Sequence, residues 1–457
     1  MEGMDLEGPS GTCAFDEEFS GGVATDFQRQ KKPRLTAQWA DKGQRFVVTD
    51  KGSDHQFAQT YFCRLNQLAP STASAAQKKW PDAQVVKILD VKEKKEAVVI
   101  GTLFKEMKLK PSVLDEYTSE RGVKSDLGRV SLCSEDDTMA LEDGNARMAL
   151  TGNGLVIEKL VTGVVLAVRG AQQKNGCFNV TDVCFPGSGP QPSIHPQEDK
   201  YIAFVSGLGV GSNQPPLALE LLGEFLSGSV GNDTDREMVQ KIVRVVVAGG
   251  TLNSMDALGI AAPNSRHQSR ALEPLKDASM YLVELASSAP VDVMPGNGDP
   301  ATFALPQQPM NRRLFGGGGQ YANVTMMTNP CEFEADGVRL MGTSGQNIQD
   351  IERYSTYTDR LKMLECCLEW RHLAPTAPDT LMCFPLNDED PFVISETPHV
   401  LFAGDQPKFE TKYVQVYGEQ CVRLLCIPKF STTGQIILLN LKNLKCHPVT
   451  LDLSSLQ

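Results

Sequence analysis

Apolar positions along the chain change their period near residue 85 and again near residue 200. Residues 54–69 (DHQFAQTYFCRLNQLA) carry apolar side chains at helical spacing, with Asp54 placed to cap the first turn, and a second short helix is predicted around Ser71 to Trp80. From about Val85 the runs become short and β-like: VVKIL, AVVIGTLF, DTMALE, ARMAL, LVTGVVLAVRG and CFNVTDVCF. Asp143-Gly144 and Asn175-Gly176 separate two pairs of these runs with residues that accept positive φ, so both joints predict hairpins. About five or six short strands at this spacing predict a small OB-like barrel.

Pro186 to Glu198 (PGSGPQPSIHPQE) reads as a linker. Beyond it, buried-strand runs alternate with helical ones. Tyr201 to Ser206 is followed by a glycine-rich turn and the helix PLALELLGEFL, and a helix ending at Lys241 runs into the strand IVRVVVAG. A long amphipathic helix from about Ser269 to Ser288 precedes the strand VDVMP; GVRLMGTSG, a helix from about Thr358 to Trp370, the strand HVLFAG and β-rich runs to Leu453 follow. This alternation predicts an α/β layered domain of about 260 residues. Three regions result: an acidic, flexible tail over 1–40, a helix plus OB-like domain over 41–188, and the α/β domain over 189–457.

The net charge of −12 argues against autonomous duplex binding, which needs a basic footprint, and leaves DNA as an indirect contact held by a partner. Single-strand binding by an OB fold needs exposed aromatics over a basic groove. The strand runs offer only Phe104, Phe178 and Phe185, read as core, and the loops around them are acidic. The first residues lack the apolar stretch of a signal peptide, and no run approaches the length of a membrane span, so an intracellular protein with no membrane role is expected. The twelve cysteines form no C-x-x-C pair and read as small buried hydrophobes, with no structural zinc. Lys31, Lys32 and Arg34 flank Pro33 in a compact basic cluster that reads either as a solvated linker or as a nuclear localisation signal.

In a layered α/β domain ligands gather at the carboxyl ends of the strands. Those ends read SGLGVGS (206–212), AGGTLNS (248–254), PGNGDP (295–300), GTSG (342–345) and AGDQP (403–407). Their order and glycine content resemble the calcineurin-like metallophosphoesterases. That family places D-x-H, G-D, G-N-H-D/E, a lone His and G-H-x-H there, to hold two metals roughly 3.5–4 Å apart. In this chain Ser206, Gly207 and Gly209 stand in the first loop, and Gly249 and Gly250 in the second. Asn297, Gly298 and Asp299 stand in the third, Ser344 in the fourth, and Asp405 and Gln406 in the last. The resemblance therefore implies vestigial positions with no metal, no cofactor and no catalytic residue. Asp299 and Asp405 are expected to make turn and cap hydrogen bonds, since two carboxylates fall short of what a hard cation needs. The glycines of the first loop are spaced G-x-G-x-G, which a tight strand-to-helix turn explains without a dinucleotide.

An OB-like domain followed by such a domain resembles the B-subunits of eukaryotic replicative DNA polymerases. VVIGTLFKEM, LKPSVL, KYIAFVSGLGVG, VDVMPGNGDPA, LPQQP, TNPCEFEADGVRLMGTSGQNIQDI and PHVLFAGDQPKF are similar to the small-subunit family of polymerase delta, with polymerases alpha and epsilon sharing the layout. The resemblance implies a nuclear, non-catalytic accessory subunit. It would hold the cysteine-rich C-terminal domain of the catalytic subunit and, on its OB side, a further extended subunit. An active metal-dependent phosphoesterase with a rebuilt site is the alternative of another class.

Overall fold

The computed structural model describes residues 34–49, 56–111, 131–194, 196–211, 217–253, 265–316, 321–386, 388–418 and 420–451. Lys31, Lys32, Asp54 and the acidic loop residues near 115–120 lie outside these. These described residues form one compact unit.

One helix, α1 (Phe57–Lys79), opens the barrel region, in place of the two short helices read from the sequence. Pro70 sits inside it without ending it. The helix lies against the barrel through Leu68, Ala76 and Trp80, and that tertiary support outweighs the missing amide bond. The barrel is a six-stranded sheet of order β2-β3-β4-β5-β7-β6, closed by pairing of β3 with β6. Its strands are β2 (Val85–Val86), β3 (Glu96–Glu106), β4 (Thr138–Glu142), β5 (Arg147–Thr151), β6 (Val165–Gln172) and β7 (Phe178–Cys184). Both predicted hairpins form: Asp143 Oδ1 accepts from the amides of Asn145 and Ala146, and Gly176 takes φ +85°. Phe178 fills the core, but Phe104 is half-buried on the wall with the Arg147 guanidinium 4.3 Å from its ring centre, so the all-core reading of the barrel aromatics is corrected there.

The second region holds two six-stranded sheets. One has the order β1-β12-β13-β14-β16-β15 and the other β11-β10-β9-β8-β17-β18. The first contains β1 (Trp39–Asp41), β12 (Cys331–Ala335), β13 (Val338–Thr343), β14 (Val400–Gln406), β15 (Glu410–Tyr417) and β16 (Gln420–Pro428). The second contains β8 (Tyr201–Val205), β9 (Ile242–Ala248), β10 (Val291–Met294), β11 (Val324–Met326), β17 (Gln435–Asn440) and β18 (Cys446–Thr450). Strands buried on both faces read as continuous apolar runs, which is why IVRVVVA shows no alternation. Between the sheets lies a core that includes Phe204, Val246, Phe333, Phe402, Leu425 and Ile437. The outer face of the second sheet packs on α2 (Leu217–Ser227) and α4 (Ser265–Ser288), with α3 (Asp233–Gln240) between them in the chain. The outer face of the first packs on α5 (Gln346–Tyr354) and α6 (Arg360–Glu369), and that core is continuous with the barrel interior.

Residues 34–41, which the sequence reading leaves mostly to the tail, belong to this unit. Trp39–Asp41 pairs with Phe333–Ala335, and the Arg34 guanidinium donates to the carbonyls of Leu226 and Ile242. No helix among the described residues is long and apolar enough to cross a membrane.

Candidate functional site

β8, β9 and β10 run parallel in one sheet, as do β13 and β14 in the other, so their carboxyl ends open on the same side of the sandwich. A half-open cleft of about 610 Å³ lies there. Gly207, Gly209, Gly250, Asn297, Gly298, Ser344 and Asp405 line it, whereas Ser206, Gly249, Asp299 and Gln406 lie behind its surface. The strand-end positions singled out from the sequence are therefore brought together.

The floor is made of backbone. Gly207, Gly249 and Gly250 have φ of +66°, +80° and +70°, conformations that a side chain disfavours. A Cβ on Gly250 would stand 2.8 Å from the Gly207 Cα, and one on Gly249 2.6 Å from the Ser344 hydroxyl. One on Gly296 would reach to 2.5 Å from the Gly250 amide nitrogen. Neighbouring backbone thus occupies the space that a ligand-bearing side chain at 250 would need.

The polar residues behind the floor tie the loops together. Asp299, buried, accepts from the amides of Gly296 (2.8 Å), Gly250 (2.9 Å), Thr251 (3.2 Å) and Leu252 (2.8 Å). Burial pushes its carboxyl above the ordinary range, and these four amides pull the other way. The Ser206 hydroxyl donates to the Ala248 carbonyl at 2.7 Å and accepts from the Asp405 amide at 2.8 Å, joining the first, second and last loops. Ser344 donates to the Pro295 carbonyl. Asp405, at φ +51°, accepts from Gln349 Nε2 at 3.1 Å. Asp299 therefore spends its carboxylate on the floor while Asp405 faces the cleft. Among the described residues no group of three or more His, Cys, Asp and Glu is placed to hold a metal ion.

Sequence reasoning missed a carboxamide network beneath the same loops. Asn329 Nδ2 donates to the side-chain carbonyls of Gln307 and Gln346 (2.8 and 3.0 Å), and Asn329 Oδ1 accepts from the Ser344 amide at 2.9 Å. Gln307 Nε2 in turn donates to the Gly296 carbonyl at 3.2 Å. It also missed Lys429, Ser431 and Thr432, which form the far wall. They follow β16, outside the glycine signatures.

Two further features bear on assembly. Arg64 on α1 is fully buried: Nε donates to Asp390 at 2.7 Å, and the terminal nitrogens donate to the carbonyls of Gly163, Pro375 and Ala377. It joins helix, barrel and sandwich at one point. Asp390 also bonds His372 Nε2 at 2.9 Å, while His372 Nδ1 accepts from the Ala374 amide. On the barrel, a groove of about 360 Å³ runs between α1, β2 and the β4–β5 hairpin, lined by Asn66, Val85, Ile100 and Asp143. Phe62, one helical turn from Asn66, and Val85 are exposed.

The DNA polymerase delta OB-fold domain family matches residues 56–183, and the family of B-subunits of DNA polymerases alpha and epsilon matches residues 202–411. A DNA polymerase delta small subunit of Oryza sativa subsp. japonica is 41% identical over 427 residues, covering 92% of this chain and 99% of that protein. The chain belongs to the DNA polymerase delta small subunits. These are accessory subunits of a replicative DNA polymerase. The Arabidopsis thaliana small subunit is 43% identical over 86% of this chain and 91% of its own length. The Saccharomyces cerevisiae small subunit is 32% identical over 90% and 93%. A DNA polymerase II small subunit of Methanothermobacter thermautotrophicus is 29% identical over 54% of this chain and 51% of its own. The segments LPQQP and TNPCEFEADGVRLMGTSGQN contain Gln307, Asn329, Ser344 and Gln346.

Proposed function

We propose that the chain is a non-catalytic scaffold whose sandwich is a calcineurin-like phosphoesterase fold stripped of its metal ligands. The carrying observation is the cleft floor. Gly249, Gly250, Gly207 and Gly296 interlock where ligand side chains would stand, and Asp299 is consumed by four amides. A two-metal hydrolase needs both ions and a bound hydroxide in that space. Phosphodiester hydrolysis by the purified chain with Mn²⁺ or Mg²⁺ is expected to stay at background. Turnover lost in Asp299→Ala or Asp405→Ala would establish the opposite reading.

As a scaffold the chain holds the cysteine-rich C-terminal domain of the catalytic subunit and, on its barrel side, a further extended subunit, meeting DNA only through these partners. The net charge of −12 favours a basic partner domain, and the groove with exposed Phe62 and Val85 suits an extended peptide. Tagged chain should recover a large polymerase subunit, and Phe62→Asp should release the further subunit while the large one is retained. Function in replication calls for the nucleus. Lys31 and Lys32 serve as the import signal, with Arg34 contributing when its contacts to Leu226 and Ile242 open. A reporter fused to residues 1–45 that remains cytoplasmic would remove this part.

A further inference from the structure

The four outer strands of the two sandwich sheets are not equivalent. β1 and β11 have three residues each, and β18 carries Pro448, which blocks pairing at its centre. β15 is eight residues long, without proline or glycine, and among the described residues pairs only with β16. The direction of its free backbone groups follows from β16. The Arg423 amide donates away from β15, to the His399 carbonyl at 2.8 Å. The Cys421 amide and carbonyl likewise bond the Gln191 side chain. In the antiparallel register Tyr413 faces Arg423 and Gln415 faces Cys421. Both are therefore wide pairs, in which each residue directs its N–H and C=O away from its partner. Thr411, Tyr413 and Gln415 consequently present a row of three donors and three acceptors along the open edge. Among the described residues no backbone outside the β15–β16 pair bonds these groups.

The side chains on this row share one face. Tyr413 is 53% exposed, and its ring lies against the Arg423 guanidinium at 4.9 Å. It walls a mainly polar cavity of about 330 Å³, where Gln191, Ser193, His399 and Gln420 stand beside Ile194 and Leu444.

We propose that β15 accepts an extended segment of a partner polypeptide as an added strand, with one side chain of that segment beside Tyr413 and in this cavity. Only another strand matches donors and acceptors repeating every second residue, and a pocket beside alternate positions is how strand addition gains specificity. Mixed ion pairs line the other face of the edge (Lys412 with Glu365, Lys408 with Glu410), so a general electrostatic contact is not what the surface offers. The proposal rests on the scaffold reading for the identity of the assembly. It separates the edge from the barrel groove, so two partner segments can be held at once.

Amide exchange tests it on the full chain, alone and in complexes co-expressed with the catalytic subunit, with the further subunit, or with both. In the free chain the amides of Thr411, Tyr413 and Gln415 should exchange fast while those of Lys412 and Val414 are protected. In one of the complexes the three fast amides should slow by about tenfold or more, and the arm in which they do identifies which subunit supplies the strand. Tyr413→Pro removes one outward donor without touching a β16 bond and should abolish that slowing, and Tyr413→Ala should weaken it through the cavity alone. Complexes that form with the three amides still fast would overturn the added strand while leaving the scaffold reading standing. Failure of the unmodified chain to form any complex would remove both.

Discussion

Asp299 was legible as a polar loop residue but not as the clip it is. The chain around it reads PGNGDP, and only the fold brings the amides of residues 250–252 to its carboxylate. Asp299→Asn keeps one acceptor oxygen for four donors and should cost about 1–3 kcal/mol of stability, measured by urea unfolding. Gly250→Asp puts a carboxylate at the floor position that the proposed phosphoesterase reading treats as a lost ligand. The clash with Gly207 and the positive φ should destabilise the chain by about 2–4 kcal/mol and yield no hydrolytic activity.

His372 is a second residue whose role the sequence hides. Its Nδ1 accepts an amide bond and its Nε2–H faces Asp390, so the ring is held neutral, and burial with Arg64 nearby pushes it down to about 4. The unfolded chain takes that proton near pH 6.5. Above that pH the group contributes no pH dependence; below it the unfolded state binds more protons, and stability falls with pH until about 4. Asp292 and Asp350, raised to about 6 by burial, act oppositely over part of this window because the folded state protonates them first. A comparison with His372→Gln isolates the effect: between pH 7 and 5 the parent should lose about 2 kcal/mol relative to the variant.

At the scale of elements, α1 shows where periodicity serves and where it fails. Its apolar spacing was visible, but it read as two helices, over 54–69 and around Ser71 to Trp80, and not as one helix that runs through Pro70. Burial of Leu68, Ala76 and Trp80 against the barrel decides otherwise. Arg64 anchors the same helix to the barrel and the sandwich. Removing one partner of a buried charge pair leaves the other uncompensated, so Arg64→Ala should cost about 3–5 kcal/mol. Arg64→Lys should recover little of it, because a single ammonium cannot replace a guanidinium that reaches Asp390 and three carbonyls at once. Unfolding of α1, followed by amide exchange, is expected to become separable from that of the sandwich in either variant.

At the scale of the whole molecule, the sequence by itself determined the strand and helix order, both barrel hairpins and the grouping of five glycine-bearing loops at one end of the α/β region. These follow from local causes: apolar period, residues that tolerate positive φ, and the rule that strand ends gather ligands. The similarity to B-subunits was legible for the same reason, since its motifs are contiguous. What only the tertiary structure decided are relations between distant segments. The strands divide into two facing sheets, and the barrel interior is continuous with one sandwich layer. The glycine loops interlock until they leave no room for side chains, and among the described residues one long edge strand is left with its backbone open. Each of these depends on which surfaces meet across hundreds of residues of chain, and a one-dimensional pattern carries no record of that.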